Sequence, residues 1–295
     1  MNNINLNMKT TVVFKKITNI EEDISKCLEL LKIKIKPKKV LIKPNLLEGG
    51  KPGTAVCTNV NVLKALVNLL QGMDKEVIVA DGSVVMDSKA EAKIAGYGKL
   101  EIPFKDLNAD NYVVAEIKDA LEWTDIEIAK TFYDAEYIIN VPTAKCHHLA
   151  GVSIGIKNLM GVLRPIGNPR HGVKAHIHQE WDDKSLPEKE AKEKFERRLV
   201  DLLRAKKIDL TLVDGSYGLQ EYESSDSPIK TDFLIASTDI LSADIVCSKV
   251  MGFKPEDIYL FNVAQRILGE RDIKVIGDEL KYFDFKKSST WLRLK

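Results

Sequence analysis

Short runs of β-branched and apolar residues, each ended by turn residues, alternate along this chain with longer stretches of helical periodicity. This alternation restricts the fold more than any single motif does. Thr11–Phe14, Lys39–Ile42, Glu76–Ala80, Tyr137–Val141, Leu210–Val213, Phe233–Ala236 and Ile273–Ile276 read as strands. Between them, Ile20–Leu31 sets Ile24, Cys27, Leu28 and Leu31 on one face, and Val60–Leu70 does the same with Leu63, Leu66, Val67 and Leu70. Ile240–Met251 and Asp257–Leu268 repeat the pattern. Strands alternating with helices argue βαβ units. The Lys38–Ile42 and Glu76–Ala80 segments carry continuous rather than alternating apolar residues, as strands covered on both faces do. The expected fold is α/β, a mostly parallel sheet flanked by helices. The chain of 295 residues forms one domain over 1–295, or two lobes of about 1–145 and 146–295 with a cleft between them.

Pro187–Lys207 is a charged amphipathic helix with Phe195, Leu199, Leu202 and Leu203 as its buried stripe. Its charges are of both signs, which suits a solvated outer face. Gly167–Ser185 has no clear periodicity and reads as a functional loop. A net charge of +1 gives no global attraction to nucleic acid or to an anionic membrane. Apolar runs such as Tyr137-Ile138-Ile139 are far shorter than the roughly 20 residues a spanning helix needs. Met1–Thr10 is rich in Asn and lacks the apolar core of a secretory signal. Cys27, Cys57, Cys146 and Cys247 are scattered, with no C-x-x-C pair, so neither a disulfide framework nor an intrinsic iron–sulfur cluster is expected. The chain reads as a cytoplasmic protein with free thiols.

Ligands of open α/β sheets bind at the carboxyl ends of the strands. The residues there are Lys43-Pro44-Asn45, Asp81-Gly82-Ser83, Pro142 to His148, and Asp214-Gly215-Ser216. Each Asp-Gly-Ser taken alone is a turn. Carboxylate, ammonium, amide and imidazole at four strand ends together point to a shared site. Lys43, Asn45, Ser83, Lys157 and Asn158 are candidates for binding a small anionic ligand, a phosphate or carboxylate, and Lys145, His147 and Asp214 for catalysis. All five histidines fall between His147 and His178. His176 and His178 share a side if that segment is extended. With Asp81 and His171 they form a candidate set for a divalent metal, although the spacing matches no zinc signature. Cys146, between Lys145 and His147, is a reactive or a structural thiol, the second being favoured. Gly151–Asn158 has a glycine-rich helix start able to meet an anion but lacks P-loop spacing, and the chain has no G-x-G-x-x-G for a dinucleotide.

Val40–Leu46, Asp81-Gly82-Ser83, Asn140–His147, Gly155–Gly161, Asp209–Gly215, and Asp239–Asp244 with Met251-Gly252-Phe253 together resemble, in order and number, the motifs of the domain-of-unknown-function family 362. Some relatives carry an attached ferredoxin-type iron–sulfur module, which implies a redox context and a redox partner protein. Cys146 stands where the family pattern implies Thr, and Gln220-Glu221 where it implies Glu-Gly.

Two functions follow as expectations. One is an enzyme acting on a small anionic substrate, metal-assisted or not, with Lys43, Lys145 and Lys157 as anion contacts. The other is a non-catalytic binding or accessory protein of a redox or metallocofactor pathway that uses the same cleft. A third reading, polar loops that merely cap a sheet, predicts no cleft at all.

Overall fold

The computed structural model describes residues 7–84, 87–168 and 170–295; Met1–Leu6, part of the segment read above as lacking a signal, and Pro169 of the 167–185 loop lie outside the described residues. Its strands are β1 (Met8–Lys16), β2 (Lys39–Pro44), β3 (Glu76–Asp81), β4 (Phe104–Asp106), β5 (Tyr112–Glu116), β6 (Asp125–Ala129), β7 (Ile138–Val141), β8 (Thr143–His147), β9 (Gly151–Ser153), β10 (Leu210–Leu219), β11 (Pro228–Ser237) and β12 (Arg271–Gly277). One large sheet runs in the order β12-β1-β11-β10-β7-β2-β3-β4, with β8 attached to β10 and β9 to β8, and β5 pairs with β6 separately. Strands β10, β7, β2, β3 and β4 are mutually parallel, and β11 is the antiparallel member between β10 and β1. The fold is the expected mostly parallel α/β sheet. Strands from both halves of the chain interleave within it, since β1 lies between β11 and β12.

The two-residue period of a strand divides the core into two layers. Val40, Ile42, Ile139, Val141, Leu234 and Ala236 face one layer, under the helices Ile20–Leu30 and Val60–Gly72. Leu41, Ile138, Val213 and Ile235 face the other, under Glu188–Ala205 and Ile240–Val250. Each fully buried Leu or Ile stabilises the fold by about 1.5–3 kcal/mol relative to exposure, so the continuous apolar strands are what hold both helical layers. The helices begin where side chains cap them: Asn19, Asn59 and Asp239 each accept a main-chain N–H of the first turn. Among the described residues no helix is long and apolar enough to cross a membrane.

The long charged helix departs from the expected solvated face. Lys192, Glu196, Arg198 and Asp201 are buried. Lys192 meets Glu196 at 2.5 Å, and Asp201 accepts the main-chain N–H groups of Leu121, Glu122 and Trp123. Part of that helix's charge is sealed by ion pairs and caps instead of by water.

Candidate functional site

Pro142 has no N–H to give a sheet, and there the chain leaves β7 and resumes as β8. Alternation along β8 places Thr143, Lys145 and His147 on one face and Ala144 and Cys146 on the other, in the core. Thr143 Oγ1 and Lys145 Nζ both donate to Asn45 Oδ1, at 3.1 and 2.5 Å, and Lys145 also donates to the Val56 carbonyl at 2.9 Å. Asn45 Nδ2 donates to Asn158 Oδ1 at 3.1 Å, and Asn158 Nδ2 donates to the Pro44 carbonyl and to Asn140 Oδ1. These amides tie β2, β7 and β8 to the short helix Gly155–Asn158.

Lys43 and Asp81 form a buried pair 2.5 Å apart, and Asp81 also accepts the N–H groups of Leu46 and Gly82. Burial outweighs the attraction of opposite charges here, pushing the Lys43 ammonium down and the Asp81 carboxyl up. Gly161 packs against the pair so closely that a Cβ on it would collide with Asp81 Oδ1 and Lys43 Nζ. Lys174 arrives from the 167–185 loop and donates to the carbonyls of Gly82 and Ser83 and to Asn108 Oδ1, at 3.1, 2.9 and 2.8 Å. The Ser83 N–H donates to Ser88 Oγ, so Ser83 contributes main-chain groups to the wall behind the site.

Between these groups is a pocket with about 50 Å³ of space, lined by Asn45, Asp81, Lys145, Ser153, Lys157, Asn158, Gly161 and Lys174 among others. At roughly 10–15 Å³ of such space per water, it holds a few water-sized groups, the scale of a carboxylate with a short carbon tail. Lys157 is the unusual member. Among the described residues its Nζ finds only the thioether of Met160, at 3.3 Å, with the Phe195 ring 5.6 Å away. Burial brings Lys145, Lys157 and Lys174 each down to about 8.

The helix start at Gly155 does meet an anion, and that anion is the protein's own: Asp244 accepts the Gly155 and Ile156 N–H groups, each at 2.8 Å. Asp214 likewise turns away from the pocket. It accepts the Asn59 N–H at 2.7 Å and the Ser216 N–H and hydroxyl, which anchors the start of the Val60–Gly72 helix. The echo between its Asp-Gly-Ser and that after β3 is therefore one of sequence alone, since β10 runs straight through Asp214, Gly215 and Ser216.

The histidines divide. His171 sits on Glu127 at 2.9 Å, against β6. A turn at Lys174–His176 replaces the extended course that would have aligned His176 with His178; His178 stacks on Phe195, and His176 stays on the turn. The structure thus does not bring Asp81, His171, His176 and His178 together. His147, His148 and Glu223 do converge, with one ligand atom from each all within 4.8 Å of one another, a group that could hold a metal ion by distance alone. Its chemistry is less suited. His147 Nδ1 accepts the N–H groups of Leu149 and Ala150, both at 3.1 Å, so the ring's proton belongs on Nε2. That Nε2 is buried without a hydrogen-bond partner and lies 3.3 Å from Glu223 Oε1, while His148 Nδ1 lies 2.9 Å from the same oxygen. A metal-bound imidazole ordinarily donates its other N–H outward. Here that nitrogen is an acceptor, so a metal on Nε2 would lack that outward N–H; the three residues form a candidate metal site by distance, in which His147 faces Glu223 as a neutral imidazole. Burial holds His147 well below the usual imidazole range and takes His178 down to about 3.

The four cysteines are buried free thiols. Cys146 points away from Lys145 and His147, toward the Lys286 carbonyl, and burial pushes its thiol up to about 12. It is structural. Sequence reading missed Ser153, Gly161, Lys174 and Glu223; Ser153, Gly161 and Lys174 lie in segments singled out there, and Glu223 follows the position where Gln220-Glu221 replaces Glu-Gly.

The chain is 26% identical over 237 residues to a thylakoid-associated protein of Synechocystis sp., across 78% of this chain and 68% of that one. Its fold is similar to the lactate racemase apoprotein of Thermoanaerobacterium thermosaccharolyticum, with a TM-score of 0.52 and 14% identity over 81% of this chain. The chain spans 57% of the length of that structure. The sequence model of a domain of unknown function, DUF362, matches residues 40–249, which takes in every strand end that builds the pocket, and on that match this chain belongs to the DUF362 family.

Proposed function

We propose that this chain is an enzyme acting on a small carboxylate-bearing substrate held in the pocket at the carboxyl edge of β2, β3 and β8. The observation that supports this is Lys157. Among the described residues its ammonium lines the pocket with no oxygen to bond, beside Lys145, which has engaged two of its three N–H groups. A buried ammonium facing a thioether and an aromatic ring gains most from an oxygen that a ligand brings. The pocket's small volume favours a compact acid over a nucleotide. The DUF362 resemblance leaves the reaction open, and the fold neighbour is a lactate racemase, which makes lactate a sensible first probe.

In this reading Lys145 and Lys157 bind the acid, Asn45 and Asn158 fix those lysines, and Lys43–Asp81 with Lys174 forms the rigid floor. His147, His148 and Glu223 hold a proton beside the site. The test is calorimetric titration with lactate, acetate and inorganic phosphate. Binding should weaken by about 1.5–3 kcal/mol in Lys157→Met and in Lys145→Met, as for a hydrogen bond to a charged group. Equal affinity in the wild type and both variants, or no binding of any of the three, would refute the reading.

A further inference from the structure

Three buried lysines, Lys43, Lys145 and Lys157, and the half-buried Lys174 surround one sheet edge, and three of the four spend their Nζ on oxygen. Lys43 binds Asp81 and the Pro44 carbonyl, Lys145 binds Asn45 and the Val56 carbonyl, and Lys174 has three oxygen acceptors. An ammonium engaged in this way has its N–H groups committed to fixed acceptors and is not free to turn its nitrogen toward a ligand. Lys157 differs in kind. Among the described residues its contacts are a thioether sulfur and an aromatic face, and the Glu223 carboxylate supports its charge only through space, beyond ion-pair distance. Desolvation of a lysine by apolar surroundings is one of the ways proteins make an amine nucleophilic.

Lys157 is also held for attack. The Gly155–Asn158 turn that carries it is pinned at its start by Asp244 and at its end by Asn158, which bonds Asn45, Asn140 and Pro44. Lys145 and Ser153, opposite each other in the β8–β9 register, line the same pocket. Two groups that bind oxygen thus share it with a bare amine.

We propose that Lys157 forms an imine with the carbonyl carbon of a small 2-oxo acid whose carboxylate is held by Lys145 and Ser153. This rests on the reading of the pocket as a carboxylate site and names the substrate class more narrowly. The Nζ lone pair adds to the carbonyl carbon, and the carbonyl π electrons move to its oxygen. Both protons of the amine end on that oxygen, which departs as water while the nitrogen lone pair closes the C=N bond. One amine and one ketone give one imine and one water, with no oxidant or reductant. Burial already brings Lys157 to about 8, so a useful share of it is neutral in mildly alkaline solution.

The experiment is reductive trapping. The chain is incubated with pyruvate and sodium cyanoborohydride, its intact mass is measured, and any adduct is mapped by peptide mass spectrometry. Pyruvate binding is followed in parallel by ligand-observed NMR. The expected result is one reduced adduct on Lys157, absent in Lys157→Met, reduced in Lys145→Met and increasing as pH rises through about 8. Circular dichroism of each variant confirms that it is folded. If pyruvate binds and no adduct forms, or the adduct maps to other lysines, the imine is wrong and the carboxylate site stands. If neither pyruvate nor lactate binds the folded wild type, the carboxylate reading itself fails and takes the imine with it.

Discussion

Lys43 Nζ and Asp81 Oδ1 lie 2.5 Å apart on neighbouring parallel strands, both sealed from solvent, with Gly161 closing over them. Removing one member of such a pair strands a charge in a dry site, at a cost of roughly 3–5 kcal/mol, whereas removing both does not. Asp81→Leu should therefore destabilise the chain by about that amount, and the double variant Lys43→Met/Asp81→Leu by less than the single one. Urea denaturation of the wild type, Lys43→Met, Asp81→Leu and the double variant decides the matter. Simply additive losses would mean the two residues act independently.

Stability should depend on pH through the pocket lysines. Lys145, Lys157 and Lys174 are lowered to about 8 in the fold from 10.5. Between those values the unfolded chain binds more protons than the folded one, so their contribution to stability rises with pH across that window and is lost as pH falls through about 8. Each can contribute up to about 1.4 kcal/mol per pH unit. The buried thiols, whose ionisation burial opposes, pull the other way at higher pH. Comparison of wild type with Lys157→Met by denaturation across this range isolates one lysine. Parallel curves for the two proteins would show that Lys157 is not perturbed.

Asp244 bears on the pocket without touching it. Asp244→Asn replaces one carboxylate oxygen with an NH₂ group that faces a main-chain N–H, which should cost about 1–3 kcal/mol. It should also loosen Lys157 and weaken lactate or acetate binding. A variant with a lowered melting temperature but full affinity would show that the turn keeps its shape without this anchor.

His147 should carry its proton on Nε2, because Nδ1 accepts two main-chain N–H groups. Long-range ¹H–¹⁵N correlation spectra report this directly. Zn²⁺ or Ni²⁺ should produce no tight binding that disappears in His147→Gln. A tight site of that kind, or a proton found on Nδ1, would overturn this tautomer assignment.

The strands and the main helices were legible because their apolar periodicity is dictated by the sheet, so Val40–Ile42 and Leu210–Val213 show in the letters alone. The site was legible only in part. Lys43, Asn45, Lys145 and Asn158 could be found because they directly follow strands or sit in a turn beside them. Asp81 and Asp214 look alike in sequence, yet one reaches the pocket and the other anchors a helix. The difference lies in where β10 stops: it continues to Leu219, past a bulge between Gly215 and Tyr217, and Phe233 packs where a Cβ of Gly215 would be. Lys174 and Glu223 enter from distant loops, and no local period announces a partner supplied by tertiary packing. The histidine cluster misled for a related reason. Confinement to one segment suggested a common target, but a single turn at Lys174–His176 sends the rings to different neighbours.

The position of β1 has a consequence for how this chain comes into being. Val12 lies opposite Ser237 on one side and Val275 on the other. Strand β1 thus pairs with strands more than 200 residues further along the chain, an order that slows folding because long loops must close before any contact rewards them. Until both β11 and β12 are in place, this nine-residue strand with Val12, Val13 and Phe14 at its centre has an open edge. During that interval the edge is a template on which another unfolded chain can pair.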